Sequence, residues 1–492
     1  MTYDAQPSAD ALAQLRAGVA ASDARAADWL AYGHALLRDA GGVKRQNPTR
    51  LREALEALVR AYQLDAGCDP DLLHTIAQTA FIAREWPLVE AATALLLTQD
   101  RSDANALVWR AAAVQQRDEF DEAERLLCEA ARAAPGNVVV LHKLALCIKE
   151  QARFAEAESL LREVLRLSPD NAHARFDLSE LELRTRRYGQ GWLDYEARTA
   201  IGDDLNHAQQ ALAAISEPWR GESLAGKTLV IYGEQGNGDC LWAARFLPLL
   251  AERTRQQGGR LIFGHDGPLR HLFERMLPAD VSLETSLDTR PDFHCGLMSL
   301  PLRLGIVDAL EWGGPYLQAD PVRVAEWRAR VNALAPAGKP KVGLVWNGNP
   351  AHIRDARRSV PLEQFAPLLT VPGIACFALS PGREATVAQW RAQGADIVDP
   401  TAHFGAGFDD VAALLSNLDL VVTIDSGPAH LAGALGVPTC LMIDHVAAWF
   451  WGEETRRTPW YDSIELFRQP SIGAWAPVVA QVRERLETLA AR

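Results

Sequence analysis

The sequence predicts an α + α/β chain, in which an N-terminal all-α solenoid of helical repeats is followed by two Rossmann-like lobes. Three observations carry this reading. Aromatic residues recur every 34 positions at Trp86, Phe120, Phe154 and Tyr188. Residues 23–198 are rich in Ala, Leu, Glu and Arg, with apolar positions three and four apart, the spacing of helices. Beyond residue 215 the pattern changes to short apolar strands alternating with helices, which forces a parallel sheet.

The repeat half comes first. A period of 34 is that of the tetratricopeptide (TPR) helical hairpin. Three residues after the aromatics stand Val89, Ala123, Ala157 and Gly191, the small position where the paired helices approach, with Val89 the poorer fit. Pro135 and Pro169, also 34 apart, fall where the second helix must stop. Upstream, Ala24–Ala40 and Leu51–Gln63 read as another helix pair whose register Gly41, Gly42 and Pro48 spoil. Stacked hairpins give a curved solenoid with a concave surface suited to a peptide or protein. The alternatives are a scaffold role or a contact in a homo-oligomer.

In the second half, Glu217–Gly221 and Leu224–Lys227 read as a linker. Thr228–Tyr232 is a strand, Gly233–Asp239 a glycine-rich turn and Cys240–Arg255 an amphipathic helix, the opening of a doubly wound unit. A second start at Lys341–Trp346 begins another series of strands and helices, closing on a helix over Ala474–Ala491. The expected division is 1–200 for the repeats, 201–226 for the linker, 227–320 for the first lobe and 321–492 for the second. In such folds ligands bind at the carboxyl ends of the strands.

Composition sets limits on function. The chain has 492 residues, 48% hydrophobic and 23% charged, ordinary values for a globular protein of several units. A net charge of -13 argues against broad nucleic-acid binding and leaves room only for a local anion site. The seven cysteines are scattered, without a paired metal-ligand spacing, and read as reduced thiols. The N-terminus lacks a signal-peptide pattern, and no apolar run reaches the roughly 20 residues that span a bilayer. A cytoplasmic protein is expected.

The most informative segment is Val421–Thr439. A buried strand turns through Ser426 and Gly427 into a short helix, presenting backbone N–H groups and the positive end of the helix dipole, a site suited to a diphosphate. Gly427 allows close approach, Asp425 at the strand tip can accept hydrogen bonds from sugar hydroxyls, and His430 on the first turn is a candidate phosphate or sugar contact. The plain reading of the same residues is a capped Rossmann helix with a packed histidine.

Asp425-Ser426-Gly427, then His430-Leu431-Ala432 and Gly436-Val437-Pro438, resemble the signature of bacterial heptosyltransferase-type enzymes. The likeness extends to Gly233–Asp239 and the helix after it, and to Asn349–Pro361. It implies a GT-B glycosyltransferase. Asp239 then takes the place of the proposed general base, with Gln235, Gly236, Asn237 and Gly238 forming the acceptor loop. Asn349 and Arg358 fall on the donor side, Arg358 standing where the family has a phosphate-binding lysine; Arg357 or Arg354 can take that role instead. The order of repeats before a GT-B half also resembles O-linked GlcNAc transferase and bacterial TPR glycosyltransferases that modify flagellin. The resemblance implies inverting transfer from a nucleotide sugar to a hydroxyl, on a protein such as flagellin, with no metal and no cofactor. An inactive scaffold, and a transferase acting on lipopolysaccharide or another glycan, are the alternatives.

The adjacent acids Asp203-Asp204 and Asp409-Asp410 read as caps or surface acids rather than metal ligands. Trp449, Phe450, Trp451, Trp460, Tyr461 and Phe467 read as packing between lobes, with Trp449 or Trp451 as candidates for lining a sugar pocket.

Overall fold

The computed structural model describes residues 9–39, 47–67, 69–201, 207–265, 267–284, 290–309, 312–335, 338–350, 352, 354–454 and 456–491. Asp203 and Asp204 lie outside them. The chain divides into two compact units, Met1–Ala174 and Arg175–Arg492.

The first unit is helical: α1 (Ala9–Val19), α2 (Ala26–Asp39), α3 (Pro48–Leu64), α4 (Leu72–Ala83), α5 (Trp86–Gln99), α6 (Ala104–Gln115), α7 (Phe120–Ala133), α8 (Val138–Glu150) and α9 (Phe154–Leu167). The 34-residue register of the sequence is also written in the backbone. Arg84, Asp118 and Ala152 each adopt φ near +60°, reversing the chain before the second helix of a hairpin. Asp103 and Asn137, again 34 apart, accept hydrogen bonds from the second and third amides of α6 and α8. Val89, Ala123 and Ala157 are wholly buried.

The second unit opens inside the next hairpin, α10 (Ala172–Arg184) and α11 (Tyr188–Tyr195), with Arg186 at φ 61° between them. That hairpin is the last repeat by register, yet Tyr188, Trp192 and Tyr195 are buried in one core with Trp242, Trp449 and Trp460. Packing of these rings explains why the contacts divide at Ala174 rather than near residue 200.

The first lobe is a five-stranded parallel sheet of β1 (Glu217–Pro218), β2 (Thr228–Tyr232), β3 (Arg260–Gly264), β4 (Ser282–Leu283) and β5 (Phe293–Gly296), in the order β1-β5-β2-β3-β4. The second contains β6 (Lys341–Leu344), β7 (Ala375–Ala378), β8 (Ile397–Val398), β9 (Leu420–Ile424), β10 (Thr439–Ile443), β11 (Arg457–Thr458) and β12 (Tyr461–Arg468). Its order is β11-β12-β10-β9-β6-β7-β8, parallel except where β11 meets β12.

Two local expectations are corrected. Within the stretch expected as a linker, residues 207–213 are helical, β1 pairs with Phe293 and His294 of β5, and Trp219 is 1% exposed with Arg253 stacked on its ring. Glu217-Pro218 carries an acid and a proline in place of an apolar run, so its sequence does not read as a strand. The single helix expected over Cys240–Arg255 is two, Asn237–Ala244 and Leu247–Gln256. Pro248, which lacks an N–H, belongs to the first turn of the second helix and cannot continue the first.

Candidate functional site

The carboxyl ends of β2 and β9 carry the two loops that the sequence singles out. The Gly233–Asp239 loop ends in the first turn of helix Asn237–Ala244, where the Asp239 carboxylate turns back and accepts a hydrogen bond from the Gly236 amide at 2.9 Å. Asp239 is thus a cap of that helix. It is also an unusual carboxylate. Burial pushes its pKa up to about 6, the Gly236 amide opposing and the charges of Asp425 and Glu234 reinforcing. Gly236 and Asn237 are exposed, while Gln235 holds φ 62°. Gly238 sits on the His430 ring, so closely that an added Cβ would lie 2.9 Å from Cδ2.

Asp425 ends β9, with a carboxyl raised above the ordinary range by burial and by Asp444 at the tip of β10. Arg358 and Arg354 pull in the opposite direction. The Arg358 guanidinium donates to Asp355 Oδ1 at 3.2 Å and to the Asp425 backbone carbonyl at 3.2 Å. It packs on Gly348, where an added Cβ would be 2.5 Å from Nη2. Of the three arginines considered for a phosphate, Arg354 is engaged with Asp444 Oδ2 at 2.8 Å and with the Val446 carbonyl at 2.7 Å. Asn349 is exposed, and its carbonyl accepts from the His352 amide at 2.9 Å.

Ser426 precedes helix Gly427–Leu435 in extended conformation, and its hydroxyl donates to the Ile424 carbonyl at 3.1 Å. Among the described residues no side chain caps that helix; Pro428 has no N–H and the Ala429 and His430 amides donate to the Ser426 carbonyl, so the positive end of the helix is presented by the Gly427 amide. His430 is placed for packing. It is 3% exposed, 3.0 Å from the Tyr461 hydroxyl through Nδ1, and boxed by Phe450 and Trp451. Burial, with Arg245 nearby, lowers its pKa to about 3, so the imidazole is neutral and offers no charge to a phosphate. Its ring meets Gly238.

Other polar groups gather here without a sequence pattern to announce them. Arg468 donates to the Gly452 carbonyl at 2.7 Å, and Arg184 of α10 to that of Ala447. Burial and the charge of Arg468 push the Arg184 pKa down to about 10. Beyond the ends of β6 and β7, Asn347 Oδ1 and Ser380 Oγ are buried without a hydrogen-bond partner among the described residues. Arg245 donates to the carbonyls of Trp242, Trp312 and Trp460, each at 2.8 Å, under the rings of Tyr316 and Tyr461.

The acids and aromatics also find their places. Asp409 and Asp410 are buried rather than at the surface: Asp409 pairs with Arg275, and Asp410 accepts from Arg323 and Trp327 at 2.9 and 3.0 Å. Trp449 and Trp451 are buried in the aromatic core. Among the described residues there is no group of three His, Cys, Asp or Glu placed to hold a metal ion, and no helix long and apolar enough to cross a membrane.

Residues 403–446 match the family model described as Glycosyltransferase family 9 (heptosyltransferase). The chain is 30% identical over 349 residues to Protein FlbA of Caulobacter vibrioides, a match covering 65% of this chain and 56% of that protein. It therefore spans little more than half of that relative's length. Among solved structures it is similar to a family 9 glycosyl transferase from Veillonella parvula, at 15% identity and a TM-score of 0.41, over 56% of this chain and 99% of the other. It is also similar to a mutant O-GlcNAc transferase of Thermobaculum terrenum, at 12% identity and a TM-score of 0.30, over 89% and 94%. Asp425 to Thr439, the segment that carries the resemblance in sequence, lies within the stretch matched as a family 9 glycosyltransferase.

Proposed function

We propose that this chain is an inverting, metal-independent glycosyltransferase of the cytoplasm. It moves a sugar from a nucleotide-sugar donor to an acceptor hydroxyl, on a protein such as flagellin that docks in the concave face of the repeats. The observation that carries the reading is the meeting of the two strand-tip loops, where Gly238, beside Asp239, lies against His430 of helix Gly427–Leu435, with the pKa of the half-buried Asp239 carboxyl raised to about 6. Such a group is ionised at neutral pH and more basic than an ordinary carboxylate, the combination a general base needs. In this mechanism Asp239 takes the proton of the acceptor hydroxyl as its oxygen attacks the anomeric carbon. The bond from that carbon to the diphosphate breaks on the opposite face, which inverts the centre, and the nucleoside diphosphate leaves with the electron pair. Arg358 and the Gly427 amide at the start of helix Gly427–Leu435 offset the leaving charge.

A panel of nucleotide sugars, screened for a thermal shift and then for transfer in excess EDTA, tests the proposal. One donor should raise the melting temperature and turn over without added metal. Turnover that stops in EDTA and returns with Mn²⁺ or Mg²⁺ would contradict the metal-independent mechanism, and no stabilising donor would contradict the activity.

A further inference from the structure

The end of the repeat array reaches into the acceptor loop. Arg198 lies in the short helix Glu196–Ala200 that continues α11, and is 7% exposed. Its Nε and Nη2 donate side by side to the two carboxylate oxygens of Glu234, at 3.0 and 2.8 Å, the bidentate geometry that fixes both partners in angle as well as distance. Its Nη1 donates to Glu196 Oε1 at 2.9 Å, and Nη2 also to Ser299 Oγ at 2.7 Å. Arg303 closes the group on Glu196. Two arginines thus balance two glutamates, and none of the four is left as an unpaired buried charge. Glu234 also accepts from the Met298 amide at 3.0 Å, and its carboxylate lies so close to Gly296 that any side chain there would collide with it.

One residue further along the loop, the Tyr195 hydroxyl lies 3.0 and 3.2 Å from the amide nitrogen and oxygen of the Gln235 side chain. Tyr195 is 2% exposed and meets Trp192 and Trp449 edge-on. Gln235 needs such support, because its left-handed φ of 62° costs a non-glycine residue on the order of 1 kcal/mol and persists only where the surroundings over-determine it. The next residue, Gly236, donates the amide that the Asp239 carboxylate accepts. Fixing Glu234 and Gln235 therefore fixes Gly236 and, through it, the carboxylate.

We propose that Arg198 and Tyr195 are positioning residues that clamp Glu234 and Gln235, so that the last helical repeat is a working part of the transferase site rather than only a support for it. The proposal rests on Asp239 being the base. Its test uses the full-length chain with Tyr195→Phe, which removes one hydroxyl from the core, and with Arg198→Met and Arg198→Lys. Hydrogen exchange of the Gly236 amide is read without substrate, and kcat and donor affinity are read with the donor found above.

In Tyr195→Phe the Gly236 amide should exchange several-fold faster, and kcat should fall on the order of 10-fold with donor affinity unchanged. Arg198→Met should fall further, on the order of 100-fold, as expected for a displaced reacting group, and Arg198→Lys should recover part of the loss. If Arg198→Met does not fold, Tyr195→Phe decides alone. Unchanged exchange at Gly236, or faster exchange with full kcat, in folded Tyr195→Phe would overturn the clamp. A wild-type chain that transfers nothing would instead refute the glycosyltransferase reading, while the exchange measurement still reports on the clamp.

Discussion

At its ordinary pKa a carboxylate is a weak base for an alcohol proton, and burial of Asp239 beside Asp425 and Glu234 makes it a stronger one. The sign of the resulting pH dependence follows. In the proposed mechanism Asp239 works only when deprotonated, so kcat/KM should fall tenfold per pH unit below about 6 and level off above it, provided the donor stays bound. A pH profile whose acid limb lies near the usual carboxylate value would mean that Asp239 is solvated in the working enzyme. Arg358→Ala should weaken donor binding by about 10- to 100-fold, the range for a lost charge-assisted hydrogen bond, measured by titration with the donor. The loops that carry Asp239 and Asp425 were legible from the glycines that punctuate their strand ends, whereas the roles expected of Asp239 and Arg358 came only from the resemblance to heptosyltransferase-type enzymes. Arg354 with Asp444, 90 residues apart, and Arg198 with Glu234, 36 apart, were not legible. A pair that the fold alone brings together leaves no spacing to read. The neutral state of His430 was equally hidden, since it depends on aromatic rings from the end of the chain.

Among the elements, the hairpins show how a period becomes packing. The small position of the repeat holds Ala123 and Ala157 without exposure, but in the last hairpin Leu183 has moved into the space. A Cβ on Gly191 would lie 2.7 Å from Leu183 Cδ2 and 3.1 Å from its backbone nitrogen, which cannot swing aside. Gly191→Ala, a return to the repeat consensus by sequence, should therefore destabilise the second unit by about 1–3 kcal/mol, seen as a lower denaturant midpoint. A neutral or stabilising effect would show that α10 and α11 have room to separate. The same period shows why strands β1 and β11 escaped notice while the repeats did not. A motif repeated four times is visible over its noise, whereas Glu217-Pro218 and Arg457-Thr458 offer no apolar run to read as a strand.

On the scale of the whole molecule, the repeat register and the compact units disagree by one hairpin, and the disagreement has consequences for where the chain can be cut. A chain beginning at Ala172 keeps Tyr188, Trp192, Tyr195 and Arg198 and should fold with a single cooperative transition. One beginning at Ile201 exposes the rings they cover, including Trp242 and Trp449, and should aggregate or melt far lower, since each buried Trp removed costs about 3–5 kcal/mol. Equal stability of the two would place the boundary near residue 200 after all. The account as a whole stands on a transfer reaction in which one carboxylate removes the acceptor proton. Its most direct test is single-turnover transfer from the donor identified in the binding screen, comparing wild type with Asp239→Asn. Asn preserves a good part of the helix cap and removes the base, so the account predicts unchanged donor affinity and a rate lower by about 10²- to 10⁴-fold. Transfer by Asp239→Asn at close to the wild-type rate would contradict it, and would leave Asp239 as a cap for the helix that begins at Asn237.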